Sequence, residues 1–289
     1  MSIWTDLAGL PFTLRQVDVR GVRTRVLEAG SGEPLVLLHG TGGHVEAFAR
    51  NVAALAQRYR VVVLDMIGHG CTDAPDIDYT VDTLIDHVRD TLDVLGLARV
   101  NIGGVSLGGM ISLWLAIRHP ERVLRVITIT FMLGKREASG KNELKDALAR
   151  TRKAAETLTR DAVRARLAWL MADPDKSVTE ELVDVRHAIY GMPGRAPIIA
   201  RIQAVIVNGV NDDAWAEQWS SERHLEQIRC PVLAIWSAHN PGMNAERAQR
   251  GLAHIANGRM VVFEHSGHWP QWEEPELFNR TCLEFLAST

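Results

Sequence analysis

Short apolar runs alternate with amphipathic stretches along most of this chain. Residues 35–38 and 61–64 are continuous apolar runs, as expected of strands buried on both faces of a parallel sheet. Residues 100–103, 126–129, 232–236 and 260–263 read as further strands, while 23–28 alternates and predicts a half-exposed antiparallel strand. Between them, residues 45–57, 81–97, 107–118, 245–256 and 275–286 repeat their apolar positions with helical spacing. Strands alternating with helices predict an α/β protein with a mostly parallel, doubly wound sheet.

One region breaks the alternation. Residues 135–227 carry helical spacing throughout, opening with the polar run 135–142 and including amphipathic stretches at 144–158 and 163–171. This predicts a helical cap, or lid, at 135–227, inserted into a core built from 1–134 and 228–289. Trp169, Trp215 and Trp219 lie in the cap. Core packing is the expected role of each, with at least one as a candidate pocket wall. No internal repeat is visible.

Composition narrows the picture. With 289 residues and 46% hydrophobic content, the chain can bury one large core with an insertion. The net charge is -3 and no basic cluster stands out, so neither nucleic acid nor a membrane surface is an expected partner. No signal peptide and no membrane-length apolar run is read, which predicts a soluble cytoplasmic protein. Cys71, Cys230 and Cys282 show neither disulfide nor metal-ligand spacing and read as small buried fillers. A small-molecule substrate is the expected partner; a homodimer stays open.

Candidate chemistry starts at Gly104-Val105-Ser106-Leu107-Gly108, a G-x-S-x-G between a predicted strand and a predicted helix. A serine on so tight a turn is thrust above the sheet as a nucleophile, with the N–H of Leu107 aimed at an oxyanion. A Gly-rich turn with an incidental serine is the alternative. His39-Gly40-Thr41-Gly42-Gly43 follows an early strand and offers the Thr41 N–H as second oxyanion donor, with Gly40 and Gly42 as substrate contacts. A phosphate loop is the weaker reading, because the phosphate-binding glycine patterns are absent. His69, between two glycines, reads as structural. His268, on a loop after the last predicted strand, is the candidate base, with His265 its competitor. The orienting acid is expected after residues 232–236, where the chain has Asn240. Asn can fix the imidazole tautomer but cannot stabilise imidazolium by charge; in a serine protease the same change costs about four orders of magnitude. Glu264, Asp212 and Asp213 are candidates for a displaced acid. Alternatively Asn240 suffices for an activated substrate, or the histidine mainly transfers protons.

Together these residues resemble the α/β-hydrolase superfamily, most closely its meta-cleavage product hydrolases. The motif Gly267-His268-Trp269-Pro270-Gln271-Trp272-Glu273 carries that resemblance, with Phe278-Asn279-Arg280, Arg50-Asn51, and Thr179-Glu180-Glu181-Leu182 plus Arg186. The resemblance implies an α/β-hydrolase fold with a helical cap, and hydrolysis of a carbon–carbon bond in a 2-hydroxy-6-oxo-2,4-dienoate. It also implies Arg186 on the substrate carboxylate and Trp269 in the pocket wall, with no metal and no organic cofactor. A solvated helix face is the other reading of Arg186. Val105, Ala47 and Asn240 stand where the family has other polar groups, and the Gly-rich loop is shorter than the family's. A carboxylesterase or lactonase, and a ligand-binding protein without hydrolytic activity, are the rival expectations.

Overall fold

The computed structural model describes residues 2–134, 138–241 and 244–288. Its strands are β1 (Phe12–Val19), β2 (Val22–Ala29), β3 (Pro34–Leu38), β4 (Arg60–Leu64), β5 (Val100–Val105), β6 (Val123–Ile129), β7 (Val232–Ser237) and β8 (Gly258–Phe263). They form one sheet in the order β1-β2-β4-β3-β5-β6-β7-β8. The first two pairings are antiparallel and the rest are parallel.

The sheet core helices are α1 (Ala49–Leu55), α2 (Val81–Val94) and α3 (Leu107–Arg118). Between β6 and β7 come α4 (Ala138–Thr157), α5 (Arg160–Leu170), α6 (Pro174–Ser177), α7 (Glu180–Tyr190), α8 (Arg195–Asn211) and α9 (Asp213–Ser220). The chain then closes with α10 (Ala245–Leu252), α11 (Pro270–Glu273) and α12 (Pro275–Ala287).

The strand period of two sorts each apolar run onto opposite faces. Val36, Leu38, Val62, Leu64, Val100 and Ile102 pack with α2, α3 and α10 on one side. Leu35, Leu37, Val61, Val63, Val105 and Ile127 pack with α1 and α12 on the other. Such strands have no solvated face, which is why they read as unbroken apolar runs. Residues 107–116 of α3 are all buried, so that helix shows no polar stripe either.

Several expectations change. β1 was not legible, because it is an edge strand whose first five residues are exposed and which carries no apolar run. β2 is not half-exposed: Thr24, Arg25, Val26, Leu27 and Ala29 are buried, because β1 flanks it and Arg25 is paired inside. The 45–57 helix divides into a 3-10 turn at Val45–Phe48 and α1. Of the cysteines only Cys282 is buried; Cys71 and Cys230 are partly exposed, and all three are free.

Among the described residues, the segment between β6 and β7 contains helices and turns and no strand. Lys135, Arg136 and Glu137 of the polar run lie outside the described residues. Side-chain caps start its helices: Thr159 Oγ1 accepts from Ala162 N, Thr179 Oγ1 from Leu182 N, and Asp212 Oδ1 from Ala214 N and Trp215 N. Trp219 is buried edge-on against Trp114 of α3, with ring centroids 5.0 Å apart, so it ties α9 to the core. Trp169 and Trp215 are partly buried. Among the described residues no helix is long and apolar enough to cross a membrane, and no cluster of His, Cys, Asp or Glu is placed to hold a metal.

The packing around the Ser106 turn generates a stability prediction. A Cβ on Gly108 would lie 2.3 Å from the Leu38 carbonyl oxygen, whereas one on Gly96 would meet open space. Gly108→Ala should therefore cost about 3 kcal/mol through backbone displacement. Gly96→Ala should cost about 1 kcal/mol through its positive φ alone. Urea unfolding of the two variants checks this, and equal small losses would contradict the close approach.

Candidate active site

Ser106 stands between β5 and α3 with φ 54° and ψ -114°, a strained conformation for a residue with a side chain. Its N–H continues the ladder to the Ile129 carbonyl at 3.0 Å, and its carbonyl receives Met110 N at 3.0 Å to start the helix. Both glycines of the motif are sterically required. A Cβ on Gly104 would fall 2.2 Å from the Gly108 carbonyl carbon, and Gly108 lies against Leu38. Strand and helix meet too closely for side chains, so the turn lifts Ser106 above the sheet edge.

The loop after β3 faces this serine. A Cβ on Gly40 would lie 3.3 Å from Ser106 Cβ. Gly43 N donates to Gly40 O at 2.9 Å and Gly42 has φ 67°, a turn with Thr41 at its crest. His39 locks the turn from beneath: its Nδ1–H donates to Gly40 O at 2.8 Å and its Nε2 accepts from Met66 N at 3.1 Å. Both bonds require the neutral ring, and burial lowers its pKa accordingly. Leu107 directly follows Ser106, and Thr41 stands in the turn whose Gly40 approaches Ser106.

His268 follows β8. Its Nδ1 lies 2.7 Å from Asn240 Oδ1, on the loop after β7. An amide oxygen only accepts, so the proton is on Nδ1, and the lone pair of the neutral ring is on Nε2. Neither Asp212, Asp213 nor Glu264 takes that place: Asp212 and Asp213 start α9, and Glu264 is exposed. The His268 main chain is held from two sides. Thr130 Oγ1 donates to its carbonyl at 3.0 Å, and its N–H donates to Leu170 O of α5 at 2.6 Å. Glu273 adds a clamp, accepting from Gly267 N at 2.7 Å and, with its other oxygen, from Ala172 N at 2.8 Å. His265 is exposed.

Above these groups lies α7. Arg186 is only 1% exposed, so it is not on a solvated face. Its guanidinium carbon sits 5.1 Å from the Trp269 ring centroid, while its Nε and one Nη have no hydrogen-bond partner. Burial lowers its pKa, against the pull of Tyr190 and Glu46. Tyr190, one turn on, donates from Oη to Gly42 O at 3.3 Å, and leaves no room for a side chain at Gly42. The helix start is tied to the chain's beginning through Glu181, which accepts from Ser2 Oγ at 2.8 Å and also binds Ile3 N.

Several groups here were not read from the sequence. Arg25 of β2 donates to Asp65 at 2.5 Å and to both oxygens of Glu46 at 2.8 and 2.9 Å. Asp65 also receives Val45 N and Cys71 N, each at 2.7 Å. His44 donates from Nδ1 to Glu46 at 2.8 Å. Burial opposes ionisation of Glu46, yet His44 and Arg25 outweigh it and hold its carboxyl below the usual range. Burial pushes Asp65 up against the pull of Arg25. The only local signal was Gly43-His44-Val45-Glu46, because Arg25 and Asp65 join by tertiary contact. Structural His69 is buried, with its ring 4.9 Å from that of His39.

A family model described as the alpha/beta hydrolase fold matches residues 33–275. A 2-hydroxy-6-oxo-2,4-heptadienoate hydrolase of Pseudomonas putida is 31% identical over 95% of this chain and 96% of its own. A 2-hydroxy-6-oxo-6-(2'-aminophenyl)hexa-2,4-dienoic acid hydrolase of Metapseudomonas resinovorans is 28% identical over 94% of this chain and 90% of its own. Among solved structures, a meta-cleavage product hydrolase of Pseudomonas fluorescens IP01 superimposes with a TM-score of 0.81 at 26% identity, covering 94% of this chain and 97% of the other.

The Arg25 network yields a pH-dependent prediction. Arg25→Met leaves two buried carboxylates without their cation and should cost about 3–5 kcal/mol at neutral pH. Their pKa values in the folded variant would then lie above the unfolded ones, so the folded state binds more protons. The deficit against wild type should therefore shrink as pH falls into the carboxylate range. Chemical denaturation at about pH 8 and pH 5 tests this; a deficit that does not change, or grows, at low pH would contradict it.

Proposed function

Because the chain belongs to the α/β-hydrolase family, we propose that this hydrolase cleaves a carbon–carbon bond in a 2-hydroxy-6-oxo-dienoate, with Ser106 as nucleophile and His268 as base. The observation that carries the substrate class is Arg186. A buried guanidinium with unpartnered N–H groups costs several kcal/mol unless a ligand completes it. Among the described residues no protein carboxylate pairs with it. A planar carboxylate matches its fork, and the conjugated dienoate behind that carboxylate suits the Trp269 ring. The relatives' names supply the same substrate type.

The mechanism has two stages. The dienol first becomes a ketone: the 2-hydroxyl loses a proton and C5 gains one. Ser106 Oγ then adds to the C6 carbonyl, giving its proton to His268 Nε2. The N–H groups of Thr41 and Leu107 receive the oxyanion. The C5–C6 bond breaks, C5 leaves as the dienolate and takes the proton from His268, and the acyl group stays on Ser106. Water, deprotonated by His268, releases it as a carboxylic acid. Asn240 orients His268 without lending it charge. Leaving-group stabilisation by the dienolate and Arg186 supports turnover with an amide in that place. The site lies in a region capped by α5 and α7, so we assign 135–227 as the cap. We infer a cytoplasmic location, in keeping with three free cysteines.

The decisive measurement is stopped-flow absorbance with a 2-hydroxy-6-oxo-dienoate, with products identified by chromatography. Wild type should bleach the chromophore and release the acid; Ser106→Ala and His268→Ala should release none. Unchanged turnover in either variant would sink the assignment. Failure of wild type on the dienoate, with turnover of short p-nitrophenyl esters, would instead identify an esterase or lactonase. Arg186→Met should raise KM for the dienoate about 100-fold, from loss of a charged hydrogen-bonding partner. It should leave KM for a neutral ester nearly unchanged. Asn240→Asp should raise ester hydrolysis by about tenfold or more, because imidazolium gains a counter-charge.

A further inference from the structure

We propose that the cleft between α4 and α5 is a second ligand site, separate from the one around Ser106, and that it takes a small organic dicarboxylate. This assignment is independent of the dienoate reading.

The cleft encloses about 390 Å³, enough for a small organic molecule. None of the groups placed at the Ser106 site belongs to its lining. Cations line it from both helices. Arg150 and Lys153 stand three residues apart on α4, hence on one face of that helix. Arg166 lines the cleft from α5. The two walls differ in kind. Arg150 and Lys153 are exposed, whereas Arg166 is only 9% exposed and belongs to the buried face of α5, with Val163, Leu167 and Leu170. The Trp169 ring, 5.3 Å from the Arg166 guanidinium carbon, helps to hold that group in place.

Neighbouring cations on these helices already have carboxylates. Arg152 pairs with Glu156 at 2.7 Å, Arg160 pairs with Glu180 at 2.8 Å, and Arg164 shares Glu180. Among the described residues no carboxylate pairs with Arg150 or Lys153. Asp161 is the one carboxylate of the lining, and it belongs to the first turn of α5, where a helix favours negative charge. Three cations against one carboxylate match a ligand with two negative charges. Because the cations come from two walls, those charges belong at two ends of a molecule. Ala165 adds apolar surface to the lining, which suits a hydrocarbon linker between two carboxylates. A phosphate ion would concentrate its charge at one point and leave most of this volume empty. Burial lowers the Arg166 pKa to about 10; Tyr190 opposes this, while Arg186 and Arg150 add to it. A carboxylate bound in the cleft would offset that cost.

Isothermal titration calorimetry with glutarate at low ionic strength tests the site. Wild type should bind glutarate saturably, and Arg186→Met should retain that binding. The double variant Arg150→Gln, Lys153→Gln should bind about tenfold more weakly, because two exposed charge contacts are lost. Both residues are on the surface, so its circular dichroism should match wild type. Ala165→Trp fills the cleft without removing a charge and should abolish binding. Butyrate, with one carboxylate, should bind about tenfold more weakly than glutarate. Glutaramide, with none, should not bind. Absence of saturable glutarate binding would overturn the proposal. Loss of binding in Arg186→Met, with retention in the double variant, would place glutarate beside Ser106 and overturn it too. Tighter binding of inorganic phosphate than of glutarate would overturn the dicarboxylate assignment.

Discussion

One buried guanidinium decides where the loops around the site can stand. Arg25 reaches from β2 to Asp65, at the end of β4, and to Glu46, after the loop that follows β3. Asp65 in turn holds Val45 N and Cys71 N, and so fixes both loops at the sheet's C-terminal edge. Two carboxylates and one guanidinium with almost no exposure are costly to desolvate, and their mutual bonds serve to hold geometry rather than to add stability. What they hold is the turn at Gly40–Gly43, whose Gly40 lies against Ser106. Ligands in α/β sheets bind at this edge, where loops on rigid strands can be aimed.

The second constraint is that the same loops are tied upward into the helices between β6 and β7. The His268 N–H is bonded to Leu170, Glu273 bridges Gly267 to Ala172, and Trp272 Nε1 donates to Ser177 O at 2.9 Å. Tyr190 comes down on Gly42. The His268 loop and the Gly40–Gly43 turn are therefore each in contact with the helices between β6 and β7, one through α5 and α6 and the other through α7. A shift of those helices would change both at once. Burial raises the Glu273 carboxyl above its ordinary range, although three backbone N–H groups and Ser177 pull it down. A carboxylate kept under those conditions serves positioning.

This division between local and tertiary constraint explains what could be read in advance. The parallel strands were legible because burial on both faces removes every polar position from their runs. The Ser106 turn was legible because both glycines answer to contacts within a few residues or with the adjacent strand. β1 escaped because an exposed edge strand needs no apolar run. Arg25 looked like a surface charge in an alternating strand, and nothing near it in sequence announces Asp65, 40 residues on. The Glu273 clamp spans 101 residues to Ala172. Arg186 was visible as a cation on a helix, but its burial was not.

The Asn240 substitution has its meaning in this setting. Where a serine hydrolase must expel a strongly basic leaving group, imidazolium needs a carboxylate, and an amide in that place is a serious loss. On the proposed reading the leaving carbon would depart as a dienolate, whose charge spreads toward the end that Arg186 would hold. The electrostatic demand is shifted from the His268 end of the substrate to the carboxylate end. Arg186 would supply charge at that end, while the amide of Asn240 orients His268. Charge held where the substrate would develop its own is the placement that electrostatic preorganisation asks for.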